Sequence, residues 1–306
     1  MAQKKMLVTT MLANRKININ NIEWHVHFIC ICLKCYKGAN KLEIIIYLGI
    51  FIIGTLLGSF FSLAVYRIPL KQDITHKRSY CPKCNHKLGF WDMIPILSYI
   101  FLGGKCRYCK EKIRSRYICL EIFSGLLFLL FALSLKIDVY SINVTKIIYL
   151  LFGIFYISTL FIMGGIEKEN HYISKEVLLF GLSIEAIYII YLYILNNNMY
   201  KYGMYLIALI SIIVVSIAAF KQKRDQNYTF QILNLCLYLA VATNEFITII
   251  SIGLTLLISI INKIIDNMKT LRTRKRDVDK EEIRIPLGFY LCFSNILALI
   301  VYNFLN

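Results

Sequence analysis

The sequence predicts an all-α integral membrane protein of about eight transmembrane helices, with a cytoplasmic four-cysteine zinc knuckle between helices 1 and 2. Three observations predict it. The chain has 306 residues, 58% of them hydrophobic, where soluble domains use about 45–50%; the mean hydropathy is +0.61. Apolar runs long enough for a hydrocarbon core of about 30 Å recur from residue 43 to the C-terminus. Two Cys-x-x-Cys pairs, Cys81/Cys84 and Cys106/Cys109, lie between the first two of those runs.

Residues 1–41 mix Lys4, Lys5, Arg15, Lys16, Lys34 and Lys37 with Asn and His and hold no spanning run. They lack the apolar stretch and small-residue cleavage site of a signal peptide. They read either as a disordered or interfacial leader or as upstream sequence, with translation starting near Leu42; the second reading is preferred. Residues 42–65 then form the first span, in which Gly54 and Gly58 make a small-xxx-small step that permits close helix approach.

The loop 66–117 carries twelve Lys/Arg against three Asp/Glu, which puts it in the cytoplasm by the positive-inside rule. Seven more spans are expected in 118–306, at about 118–135, 145–165, 177–195, 203–220, 230–243, 246–264 and 286–304. With 66–117 inside, the loops 221–229 and 265–285 are inside too. They hold Lys221, Lys223 and Arg224, and Lys269, Arg272, Arg274, Lys275 and Arg276. The opposite loops carry only Lys136 and Lys201. The net charge of +17 is thus explained by topology: the expected partner is the lipid bilayer of the plasma membrane, and no nucleic acid.

Each Cys-x-x-Cys turn lets two thiolates reach one ion, and two such turns complete a tetrahedral sulfur cage. The reducing cytoplasm keeps these thiols free for Zn2+. Four thiolates leave no open coordination position, so a zinc ion on Cys81, Cys84, Cys106 and Cys109 is structural, substituting for the core that a small loop lacks. Cys119, Cys236 and Cys292 read as packing residues. His25 and His27 carry no ligand pattern.

The stretches G-S-F-F-S-L-A-V-Y-R-I-P (58–69), R-S-Y-C-P-K-C (78–84), D-M-I-P-I-L-S-Y (92–99), G-K-C-R-Y-C (104–109) and R-Y-I-C-L-E (116–121) resemble the N-terminal half of type IV prepilin peptidases. R-I-P-L-G-F-Y (284–290) is similar to the family's step into its last helix. The resemblance implies a membrane aspartic endopeptidase that cuts the leader from prepilin or pseudopilin precursors at the cytoplasmic face. It also implies N-methylation of the new terminus from S-adenosylmethionine in many members. The family cuts with two aspartates, one at the cytoplasmic end of a helix and one in a G-x-G-D motif. One carboxyl accepts a proton from water while the other donates one.

The chain departs from the family here, because it contains no G-x-G-D. The first site falls in G-G-I-E-K-E-N-H-Y-I-S (164–174), where Glu167 stands for the aspartate and Ser174 for the usual proline. Registering L-C-L-Y-L-A (235–240) on the family's sixth span puts Tyr228 at the second aspartate, with Asp225 the nearest carboxylate. The expected catalytic pair is therefore Glu167 and Asp225; otherwise Glu167 is a solvated helix-end group and Asp225 pairs with Arg224 or Lys223. The alternative to a leader peptidase is an inactive homologue that binds precursors or regulates an active paralogue. Glu185, inside the fourth span, is either functional or hydrogen-bonded across helices. Glu121 opens the second span and by resemblance belongs to a motif near the methyl-donor or peptide region, while Asp92 reads as a turn residue.

Overall fold

A computed structural model describes residues 41–74, 78–137, 143–195, 199–221, 228–272 and 285–306. The leader 1–40, Asp225 and the basic residues Arg274, Lys275 and Arg276 lie outside them. The chain divides into two units, 1–46 and 47–306. Of the first, only the opening turn and a half of helix α1 is described; the second holds the rest of α1 and every other described element.

Helices account for the described fold: α1 (Lys41–Arg67), the short α2 (Leu97–Phe101), α3 (Arg116–Ser134), α4 (Val144–Asn170), α5 (Lys175–Leu195), α6 (Met199–Lys221), α7 (Tyr228–Ala242), α8 (Glu245–Arg272) and α9 (Leu287–Leu305). A 3-10 turn at Phe90–Asp92 precedes α2. Every span expected from hydropathy is a helix. Six of the described helices are long and apolar enough to cross a membrane. The other two expected spans are shorter apolar stretches, Tyr200–Val214 within α6 and the whole of α7. At 1.5 Å per residue α7 reaches roughly 22 Å, short of a 30 Å core. It compensates by burial, with Asn234, Leu235, Tyr238 and Leu239 packed inside the bundle.

Helix α9 is the centre of the bundle and packs on α3, α4, α7 and α8. Its inward face (Leu291, Cys292, Ile296, Leu299) joins α4's Tyr156, Ile157, Leu160 and Met163 in one apolar core. Lipid supplies no hydrophobic drive for helix association, so packing and interhelical polar contacts must hold the helices together. Tyr156 donates to Asn295 Oδ1 at 2.8 Å, and Asn295 donates to Ser251 Oγ at 3.4 Å, tying α4, α9 and α8 in the dry core. The glycine step of α1 makes the close approach it was expected to permit, and the partner is α3. A Cβ on Gly54 would stand 2.9 Å from Gly125 Cα and one on Gly58 2.8 Å from Ser124 Cβ, and Ser124 donates to the Gly54 carbonyl at 2.8 Å.

Helix ends position the site. Asn143 caps α4 by accepting from the Thr145 N–H at 3.0 Å. At the other end His171 turns left-handed (φ 56°) and its N–H bonds the Glu167 carbonyl, an αL stop that brings the chain straight into α5. At 27 residues α4 spans about 40 Å, longer than a hydrocarbon core of about 30 Å.

Candidate functional site

Two arrangements stand at the same end of the bundle: the cysteine knuckle and a buried cluster around Glu167.

The knuckle is built from two copies of one turn. In each, residues seven apart form an isolated antiparallel bridge, Tyr80 with Lys87 and Lys105 with Lys112. The N–H of the first cysteine bonds the carbonyl five residues on, Cys81 to His86 at 3.0 Å and Cys106 to Glu111 at 2.8 Å. The residue four after that cysteine is left-handed, Asn85 (φ 56°) and Lys110 (φ 59°). The four Sγ atoms lie within 4.8 Å of one another, with Cys81 and Cys109 3.8 Å apart. Sulfurs at about 2.3 Å from a tetrahedral zinc would be about 3.8 Å apart, so the donor set fits a metal ion of that kind.

The thiols themselves feel the crowding. Hydrogen bonds from the Cys84 and Lys83 backbone bring Cys81 down to about 7 against the opposing effect of burial. A backbone bond at Glu111 favours the Cys109 thiolate, yet desolvation and contact with Cys106, Cys84 and Cys81 outweigh it and push Cys109 up to about 12. Sulfurs packed this closely lose protons one after another, and a bound cation would favour all four thiolates together.

Asp92 does more than make a turn. It accepts from the Gly89 N–H at 3.1 Å, from Arg107 Nε at 2.6 Å and from the Tyr108 hydroxyl at 3.4 Å, and so links the two turns. The rings of His86 and Tyr108 meet across them, tilted by 33° with 3.6 Å between centroids. Burial opposes ionisation of Asp92, but Arg107 and the Gly89 N–H outweigh it and hold the carboxyl below its usual value. Glu121 accepts from the Ile96 N–H at 2.8 Å, at a β-branched residue held at φ 62° and ψ −55°, a conformation it would otherwise avoid. Its observed contact is thus with the loop backbone. Cys119, expected to be packed, is exposed.

Glu167 is fully buried, at 0% exposure, so the helix-end position does not make it a solvated group. Its Oε1 accepts from the Tyr228 hydroxyl at 2.6 Å and its Oε2 from the Phe289 N–H at 2.8 Å. Tyr228 Oη in turn accepts from the Leu287 N–H at 3.1 Å. The first turn of α9 leaves its amide groups without intrahelical acceptors, and Pro286 at the cap makes no side-chain bond. Glu167 and Tyr228 supply those acceptors from α4 and α7, with the carboxyl at the helix's positive end. Gly288 makes room for this, since a Cβ there would stand 3.2 Å from Glu167 Cγ. Nearby, the Ile173 N–H donates to Gln231 Oε1 at 2.9 Å, Arg116 pairs with Glu169 at 3.0 Å and Lys168 lies over the Phe289 ring, 4.5 Å from its centroid.

The structure therefore brings together Glu167 and Tyr228, 61 positions apart, while Asp225 lies outside the described residues. The backbone donors of α9 were not legible from side-chain types. The Pro-Leu-Gly-Phe step was the available signal.

Residues 52–135, from α1 through the knuckle to the end of α3, match the bacterial peptidase A24 N-terminal domain family. Proteins named prepilin leader peptidase/N-methyltransferase are similar over parts of this chain. That of Vibrio cholerae serotype O1 is 43% identical over 86 residues, covering 25% of this chain and 34% of the relative. That of Bacillus subtilis (strain 168) is 43% identical over 79 residues, 26% of this chain and 32% of the relative. That of Klebsiella pneumoniae is 30% identical over 127 residues, 40% of this chain and 52% of the relative. The matched stretches thus span between about a third and half the length of these relatives. No solved structure matches. The chain is thus a multi-pass helical membrane protein whose residues 52–135 are similar to the N-terminal domain of the prepilin peptidase family.

Proposed function

We propose that this chain is a plasma-membrane protein that receives prepilin-type precursors at the cytoplasmic face without cutting them. The observation that carries this reading is the hydrogen bond from Tyr228 to Glu167. Aspartic hydrolysis needs two carboxyls that share a proton and hold a water between them. In this chain the residue registered on the second aspartate is a phenol. A phenol titrates near pH 10 and cannot act as a carboxylate base at neutral pH. Its hydroxyl and the Phe289 N–H occupy both oxygens of Glu167, so the pair serves to anchor α9. The N-terminal domain, with Zn2+ on Cys81, Cys84, Cys106 and Cys109 as a structural ion, supplies the precursor-facing surface in this reading. Methyl transfer from S-adenosylmethionine would act on an amine freed by cleavage elsewhere.

The test is to incubate the purified full chain with a prepilin-type precursor from the same genome. The precursor is expected to co-purify intact, with an unchanged mass, and a leaderless form to be lost. Release of the leader by the wild-type protein, abolished in Glu167→Gln or Asp225→Asn, would overturn the proposal and restore the peptidase reading.

A further inference from the structure

A cavity of about 250 Å3 lies in the half of the bundle remote from the knuckle, walled by α3 to α9. It is separate from the Glu167 cluster: along α4, the nearest wall residue, Tyr156, and Glu167 are eleven residues apart, about 16 Å. Glu185 is on its wall. That side chain is only 1% exposed and neither carboxyl oxygen has a hydrogen-bond partner. The cross-helix hydrogen bond that would have made Glu185 a packing residue is therefore not formed. Buried polar groups are nearly always satisfied, and an unsatisfied one inside a cavity points to a missing ligand.

The rest of the wall says which ligand. It is aromatic: Tyr149, Phe152 and Tyr156 from α4, Tyr188 from α5, Tyr205 from α6 and Tyr302 from α9. Phe152 and Tyr188 stack with centroids 4.1 Å apart, and Phe152 and Tyr156 at 5.7 Å. Tyr188 is one helical turn from Glu185, so ring and carboxyl share one face of α5. Aromatic faces attract cations, and organic cations most readily, because these shed water easily. A divalent metal would need several oxygen ligands, and among the described residues the cavity's acidic side chain is Glu185 alone. We propose that this cavity binds an organic ammonium group, with Glu185 as its counter-ion and the rings of α4 and α5 as its walls. Lys201 also lines the cavity, so its contribution is measured with the rest.

The experiment uses the full chain in detergent and follows thermal unfolding with ethylammonium chloride against potassium chloride at equal ionic strength. The wild-type protein should show a saturable rise in Tm with ethylammonium only, since a ligand bound to the folded state alone stabilises it. Glu185→Gln should weaken the apparent affinity at least tenfold. Should that variant fail to fold, Tyr188→Leu and Tyr188→Phe decide, the first weakening binding several-fold and the second, which keeps the ring, leaving it near wild type. No saturable shift in the wild type overturns the proposal, as does an equal shift in Glu185→Gln. Binding lost in Lys201→Gln but kept in Glu185→Gln would mean an anion site and also overturns it. Native mass spectrometry of protein from phosphatidylethanolamine-rich membranes separates the sources. Lipid held by the wild type but not by Glu185→Gln assigns a headgroup; the ethylammonium response without bound lipid assigns a free amine.

Discussion

Tyr228→Phe deletes one oxygen and with it two hydrogen bonds, the 2.6 Å donation to Glu167 and the 3.1 Å acceptance from Leu287. The two losses are unequal. The Leu287 N–H also bonds the Ile285 carbonyl at 2.9 Å, so it keeps a partner and its share of the cost is small. Oε1 of Glu167 keeps no other bond that the structure shows, and the residue is fully buried. Leaving a buried polar group unsatisfied costs roughly 1–3 kcal/mol, whereas interhelical hydrogen bonds in membrane proteins average about 0.6 kcal/mol and reach about 1.7. Burial of the acceptor favours the upper part of the membrane range, so the substitution should cost about 1–2 kcal/mol. Glu167→Ala should cost more, roughly 3–5 kcal/mol, because it also orphans the Phe289 N–H and leaves a cavity. The assay is reversible unfolding in mixed micelles, followed by helical circular dichroism, with Tyr228→Phe made in both the wild-type and Glu167→Gln backgrounds. The cost in the Gln background should fall to less than half, since an amide then stands where the carboxyl accepted from Tyr228. An equal cost in both backgrounds would refute the view that Tyr228 and Glu167 act as a pair.

The knuckle should hold one zinc ion per chain, measured by elemental analysis of the purified protein. Stripping it with a chelator, or substituting Cys84→Ser, should open the loop 78–113 to limited proteolysis while the bundle keeps its helical signal; a loop equally resistant without metal would count against a structural ion. The Asp92 link should be visible in pH dependence. Because the folded carboxyl is held below its usual value, its contribution is complete above the ordinary carboxylate pKa of about 3.9 and is lost as pH falls through the folded value. The difference in loop protection between wild type and Asp92→Asn should therefore be constant from about pH 8 to about pH 5 and vanish only in stronger acid. A difference that changes near pH 6 to 7 would assign the link to another group.

What the sequence determined by itself was whatever depends on local composition and spacing. The helices follow from runs of apolar residues, because a backbone in lipid must satisfy its polar groups internally. The cysteine cluster follows from the Cys-x-x-Cys turns, because such a turn by itself sets two thiols at one point. That α1 permits close helix approach was legible in Gly54 and Gly58, since a missing Cβ is what permits it; that the partner is α3 was not. The register of L-C-L-Y-L-A, carried by resemblance, singled out Tyr228. The sixth expected span is short in the sequence already, and α7 is a 15-residue helix with one face buried among its neighbours. Tertiary structure alone decided the rest. Glu167 at the end of a helix reads as a catalytic carboxyl or else a solvated helix-end group until α9 and Tyr228 close over it. Asp92 reads as a turn residue until Arg107, fifteen positions away, reaches it. Glu185 reads as one polar residue in an apolar helix until the neighbouring helices bring tyrosines and phenylalanines around it. In each case the decisive partner is remote in sequence, and a carboxyl's chemistry is set by the donors, charges and solvent that meet it in space.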